Sequence, residues 1–150
     1  MKLILVRHGE TEWNKKRRIQ GCRSDTRLSP KGLEEADRLA TVLRKERIDA
    51  IYSSPMKRAA ETAQIIADAC KMKVELFNEL REIDAGALDG LFERELTGTY
   101  EEAWKGLRGG NPSTPLPGGE SLQDLQKRTS WAVDRMLEKH VDGTVVVVAH

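Results

Sequence analysis

The chain has 150 residues, with 25 lysines and arginines against 24 aspartates and glutamates and a formal net charge of +1. At roughly 100–200 residues per domain this is one domain's length, enough to bury a core without disulfides or a metal. Near-neutral charge speaks against a dedicated nucleic-acid binder, and two well-separated cysteines, Cys22 and Cys70, speak against a zinc site or a disulfide scaffold.

The first strand is expected over Lys2 to His8, where the apolar run Leu3-Ile4-Leu5-Val6 leads into Gly9 and reads as a buried parallel strand. Residues 9–29 show no sustained period and read as a long functional loop with a short helical turn. Ser29-Pro30 opens a helix, with serine as cap and proline at the first helical position. Leu33, Ala36, Leu39, Ala40 and Leu43 then form one apolar face. A second strand follows at Asp49 to Ser53. Ser54-Pro55 repeats the helix-start signal, with Ala59, Ala63, Ile66 and Ala67 continuing the stripe.

A third strand is expected at Lys73 to Phe77, then a mixed stretch over 78–96 and a short helix from Thr99 to Leu107. Gly109-Gly110-Asn111-Pro112 and Pro115 to Gly119 read as loop. A long helix runs from Glu120 to about Lys139, with Leu122, Leu125, Thr129, Ala132, Val133, Met136 and Leu137 inward. Thr144 to Ala149 is apolar enough to be a strand buried on both faces, and it should lie beside the first. Strands alternating with helices imply an α/β fold with a mostly parallel sheet.

The apolar runs at Leu3 to Val6 and Val145 to Ala149 fall far short of the ~20 residues a membrane span needs. The N-terminus is too short in apolar residues for a signal-peptide core. A cytoplasmic protein without a membrane partner is expected.

Ligands in open α/β sheets bind outside the carboxyl ends of the strands. Arg7 and His8 end the first strand, Arg58 opens the helix after the second, and His150 ends the last. Two arginines and two histidines at one mouth suit a phosphoryl group, because a guanidinium fork matches two phosphate oxygens. A histidine can attack phosphorus through one ring nitrogen while the other is held by an acceptor. The leaving oxygen needs a proton, and Glu82 and Asp84 are the nearest carboxyl candidates. The basic run Lys15 to Arg18, with Arg23 and Arg27, could suggest nucleic acid. With only Trp13 among it, it reads as a positive rim that attracts an anionic substrate, not nucleic acid.

Arg7-His8-Gly9-Glu10-Thr11 resembles the signature of the histidine phosphatase superfamily, in its phosphoglycerate-mutase-like branch. Asn14, Ile19-Gln20-Gly21, Asp25 and Leu28 follow at the family's spacing. Ser53 to Ala59 with Glu61-Thr62-Ala63 is similar to its second arginine motif, and Leu80 to Gly90 to its acid-bearing loop. Pro117-Gly118-Gly119-Glu120-Ser121 and Val145 to His150 match two further blocks in the family's order.

The resemblance implies a three-layer α/β/α sandwich. It implies His8 as the phosphorylated nucleophile, Arg7, Arg58 and His150 as clamps on the transferred group, and Glu82 as proton donor. Asn14 and Gln20 resemble residues that touch phosphate or substrate. No metal and no cofactor are implied. The expected activity is a phosphomonoesterase acting on a small phosphorylated metabolite such as α-ribazole phosphate or a sugar phosphate. A cofactor-dependent phosphoglycerate mutase and a non-catalytic binding relative are the alternatives.

Two departures from the family stand out. Ala85, Ala87 and Leu88 occupy a loop that carries aromatic residues in many relatives. Relatives also continue beyond the second histidine, so residues 1–150 are expected to be one catalytic domain lacking a C-terminal helix and strand. Self-association through the incomplete side of the sheet is the corollary.

Overall fold

A computed structural model of the protein describes residues 1–109 and 111–150. Four strands form one sheet: β1 (Lys2–Arg7), β2 (Ala50–Ser53), β3 (Val74–Leu76) and β4 (Thr144–Ala149). Their order is β1-β4-β2-β3, and every pairing is parallel. Among the described residues five α-helices accompany them: α1 (Glu12–Lys15), α2 (Pro30–Leu43), α3 (Lys57–Cys70), α4 (Gly98–Gly109) and α5 (Leu122–Lys139).

The layers follow from side-chain alternation along the strands. Val6, Ile51, Val146 and Val148 face α2 and α3, where Ala40, Leu43, Ala59, Ala63 and Ile66 complete one core. Ala50, Tyr52, Val145 and Val147 face the opposite way, against Ala132 and Met136 of α5. The arrangement is α/β/α. Helix α3 meets the sheet through alanines, which lets its backbone lie close. Central β4 is buried on both faces from Val145 to Val148, each valine contributing roughly 1.5–3 kcal/mol. A third apolar cluster, around Ile19, Ile83, Leu88 and Leu116, anchors the loops beyond the sheet.

Several expectations need correcting. Among the described residues β1 pairs on one side only, with β4: Val6 alone is buried along it, and Leu5 is 72% exposed. An apolar run marks burial on average, but the position of a strand within the sheet decides it. Leu33 (44% exposed) and Leu137 (43% exposed) lie at the margins of their helical faces. Helix α5 starts at Leu122 instead of Glu120, with Ser121 as its cap in a capping box with Asp124.

Ser29 caps α2 through Gly32 N at 3.1 Å. Ser54 does not cap α3: Met56 takes the cap position without a side-chain bond, and the helix starts at Lys57. The backbone N–H of Lys57 instead donates to Asp25 Oδ1 at 2.7 Å. The loop expected at Gly109–Pro112 contains Gly110, which lies outside the described residues. Among the described residues no helix is long and apolar enough to cross a membrane.

Candidate active site

Register in a parallel sheet sets which loops become neighbours. Arg7 pairs with Ala149 and Ser53 with Val148, so β1, β4 and β2 end at nearly the same level. The pairing runs one step further: His8 N donates to Ala149 O at 3.0 Å, and Ser54 N to Val148 O at 2.9 Å. Adjacent strands lie about 4.8 Å apart. The first residues past the strand ends, His8 and His150, therefore meet with ring centroids 5.2 Å apart and planes at 62°.

His8 is buried. Its Nδ1 lies 2.7 Å from Gly9 O. A carbonyl oxygen only accepts, so Nδ1 carries the proton and Nε2 the lone pair. Burial, the largest influence, together with the charges of Arg58 and Arg7, lowers the His8 pKa to about 4, against the opposing pull of the Gly9 bond. The imidazole is neutral at physiological pH, as an attacking nitrogen requires. Thr62 holds the loop in place: Gly9 N donates to Thr62 Oγ1 at 3.1 Å, and Thr62 Oγ1 donates to Arg58 O at 2.8 Å. Gly9 allows α2 to approach, since a Cβ there would lie 2.5 Å from Gly32 O.

His150 Nε2 meets Ser54 Oγ at 2.9 Å. Its other ring nitrogen, Nδ1, is buried and has no protein partner. Burial, then the charges of Arg58, His8, Arg128 and Arg7, push its pKa down to about 2.

Arg58 is completely buried. Its Nη1 donates to Ser24 O at 2.9 Å and its Nη2 to Gly21 O at 3.4 Å, while Nε has no partner. Arg7 is exposed at the strand end, and its charge acts on both histidines, Arg58 and Glu82. Neither arginine forms an ion pair among the described residues. A buried guanidinium without a carboxylate partner is costly on its own. Together with an unpartnered ring nitrogen, it makes a site that an anion would stabilise.

The acid-bearing loop reaches this site from the side. Glu82 Oε1 accepts from Ile83 N at 2.7 Å. Burial raises the Glu82 pKa against the pull of Ile83 N–H, Arg58, Arg128 and Arg7. Asp84 behaves oppositely. Burial pushes its pKa up, but the Arg23 hydrogen bond, Gly86 N–H and nearby arginine charges outweigh that and lower it. Arg23 grips both Asp84 oxygens, Nε to Oδ1 at 2.7 Å and Nη2 to Oδ2 at 3.0 Å.

The loop is braced from below by Arg128, which donates to the carbonyls of Glu79 (2.7 Å), Arg81 (2.6 Å) and Glu82 (2.9 Å) while pairing with Glu120. Its close contact with residues 117–119 requires glycine. A Cβ on Gly86, already at φ 56°, would lie 2.2 Å from Pro117 O, and one on Gly119 would lie 2.1 Å from Asp84 O.

Asn14 and Gln20 are held in a network around Thr11. Thr11 N donates to Asn14 Oδ1 at 3.0 Å, and Gln20 Oε1 lies 2.8 Å from Thr11 Oγ1 while accepting from Thr26 Oγ1 at 2.6 Å. Both amide oxygens are thus engaged with the loop.

The sequence matches the histidine phosphatase superfamily (branch 1) over residues 3–150. The chain belongs to this superfamily. It is 42% identical over 151 residues to phosphoglycerate mutase-like protein 4 of Arabidopsis thaliana, covering 99% of this chain and 65% of that protein. It is 39% identical to phosphoserine phosphatase 1 of Hydrogenobacter thermophilus, covering 100% of this chain and 71% of that protein. A solved structure described as mycobacterial hydrolase 1 superposes with a TM-score of 0.91 at 31% identity, covering 99% of this chain and 72% of that one. The chain thus spans about two thirds of the length of these relatives.

His8 and His150 lie side by side at the strand ends within reach of the Arg7 and Arg58 charges, which also act on Glu82, whereas Asp84 turns to Arg23. Sequence reasoning passed over Ser54, Arg128, and the Gly21 and Ser24 carbonyls that hold Arg58. In the sequence Ser54 is marked by the strand exit Ser53-Ser54-Pro55, by a helix start and by the arginine motif, not as a partner of His150; Arg128 has no local signal, and a backbone carbonyl has no identity in a sequence. No cluster of three or more His, Cys, Asp or Glu residues is placed to hold a metal ion among the described residues.

Proposed function

We propose that the chain hydrolyses small phosphomonoesters through a phosphohistidine on His8. The observation that carries this reading is the neutral His8 ring, with Nδ1–H committed to Gly9 O and Nε2 left free, beneath an unpaired buried Arg58. Nε2 attacks phosphorus and the phosphorus–oxygen bond to the alcohol breaks. Arg7, Arg58 and His150 bear the charge on the three transferred oxygens. Glu82, whose raised pKa favours the protonated form, gives its proton to the leaving oxygen. The Glu82 carboxylate then takes a proton from water as the water oxygen bonds to phosphorus. The phosphorus–nitrogen bond breaks, and inorganic phosphate and free His8 result.

Asp84 suits the acid role poorly, since its carboxylate is kept ionised by Arg23. Asn14 and Gln20 are proposed to turn their amide N–H groups toward phosphate or substrate, their oxygens being held by the loop. Similarity to a phosphoserine phosphatase supports the hydrolase reading.

Similarity to a mutase-like protein favours a second reading, transfer back to another hydroxyl of the same substrate. We prefer hydrolysis because the segment from Gly86 to Pro117 is short, with less chain to enclose an intermediate from water.

Rapid quench with radiolabelled phosphomonoester tests this. An acid-labile, base-stable phosphoenzyme should form and release inorganic phosphate, and His8→Ala should abolish it. Label retained by His8→Ala, or return of label to an isomer of the substrate instead of release, would overturn the reading.

A further inference from the structure

Arg58 is the one completely buried guanidinium of the site, yet no side chain holds it. Its two hydrogen bonds end on the carbonyls of Gly21 and Ser24, so its placement is only as firm as the loop that carries them. That loop has little regular structure and no apolar anchor of its own between Gly21 and Ser24. What organises it comes from sixty-odd residues away along the chain: Cys22 N donates to Ile83 O at 3.1 Å, the Arg23 side chain grips Asp84, and Asp89 binds the turn itself. Asp89 Oδ1 accepts from Gly21 N at 3.3 Å and from Ser24 Oγ, and Asp89 Oδ2 accepts from Arg23 N at 2.9 Å. Gly21 has no room for a Cβ, which would lie 2.8 Å from both Ala85 Cβ and Asp89 Oδ2. The carboxylate therefore sits inside the turn, gathering its donors on one side so that its carbonyls face Arg58.

We propose that Asp89 is the positioning residue for Arg58, acting through the backbone of residues 21–24. This rests on the hydrolase reading above, in which Arg58 bears charge on the transferred phosphoryl group. Asp89 makes no contact with that group. It shares the 82–90 loop with Glu82, so one segment presents the proton donor and also sets the clamp. Displacement of this loop disturbs both. An aspartate suits the task better than asparagine, because all three of its contacts are with donors and an amide would turn an N–H toward one of them. Its negative charge also lies close enough to favour the guanidinium in the ionised form.

The test is a double-mutant cycle on hydrolysis of p-nitrophenyl phosphate, with orthovanadate inhibition measured in parallel. Asp89→Asn should lower kcat/KM about tenfold and weaken vanadate by a similar factor. In the Arg58→Ala background the same change should cost less than about twofold, as expected of residues that act as a unit. Ser24→Ala removes one of the three donors without a change of charge, and covers the case in which Asp89→Asn does not fold. It should cost about threefold, again only when Arg58 is present. A general structural role would instead lower activity equally in both backgrounds. Equal losses with and without Arg58 would overturn the inference and leave the hydrolase reading standing. If Arg58→Ala itself leaves turnover and vanadate inhibition unchanged, it is the hydrolase reading that falls, and this inference with it.

Discussion

Lowering the pH from 6.5 to 5 should destabilise the fold through the two site histidines. Both have folded-state pKa values well below the unfolded value of 6.5, at about 4 for His8 and about 2 for His150. In this window the unfolded chain binds a proton on each and the folded chain does not. Stability then falls with pH at about 1.4 kcal/mol per unit per histidine. Because the unfolded histidines are only half protonated at pH 6.5, the loss over this window is between about 1 and 2 kcal/mol each, or about 3 kcal/mol for the pair. That is a large fraction of the 5–15 kcal/mol typical of a domain.

The groups facing these rings are Arg58 and Arg7 and, for His150, also His8 and Arg128, and all oppose protonation. Glu82 acts with the other sign. Its raised pKa means that the folded state takes up a proton first, returning some stability as pH falls. Urea denaturation between pH 7.5 and 5 measures the sum. His8→Asn removes one of the two protons and should halve the slope, and Glu82→Gln should steepen it. A folding free energy that stays flat between pH 6.5 and 5, or an unchanged slope in His8→Asn, would refute the argument.

Glu82→Gln should slow alkyl phosphates far more than p-nitrophenyl phosphate, whose phenolate needs little protonation, and equal losses on both would remove Glu82 from the acid role. Arg128→Ala should cost about 3 kcal/mol in chemical denaturation, because it leaves three carbonyls without their donor and Glu120 with only the N–H of Asp84. Arg128→Lys should recover only part, since a single ammonium cannot span the fork. Gly119→Ala should lose about 2 kcal/mol through overlap with Asp84 O, and a calorimetric melting temperature equal to wild type would contradict it.

The amino-acid sequence by itself determined the elements and most of the candidate site. Ser29-Pro30 announced α2 because a serine oxygen and a missing proline N–H both satisfy a helix start within four residues. The alanine stripe from Ala59 to Ala67 marked the face of α3, and the unbroken valines of β4 marked a central strand. His8, Arg58 and His150 stood out because strand ends of a parallel sheet are where ligands bind. All of these are short-range signals or consequences of connectivity.

The tertiary structure alone decided what depends on packing between distant segments. Strand order left β1 with one neighbour among the described residues despite its apolar run, and the β1–β4 register set His8 beside His150. Ser54 left helix capping to Asp25 and met His150 instead, because both lie at the end of the same sheet. Glu82 and Asp84, chemically alike, two residues apart and both half-buried, parted because one lies near the unpaired Arg58 and Arg7 and the other meets Arg23. Burial and charge environment are properties of the folded neighbourhood, and no local pattern of residues carries them.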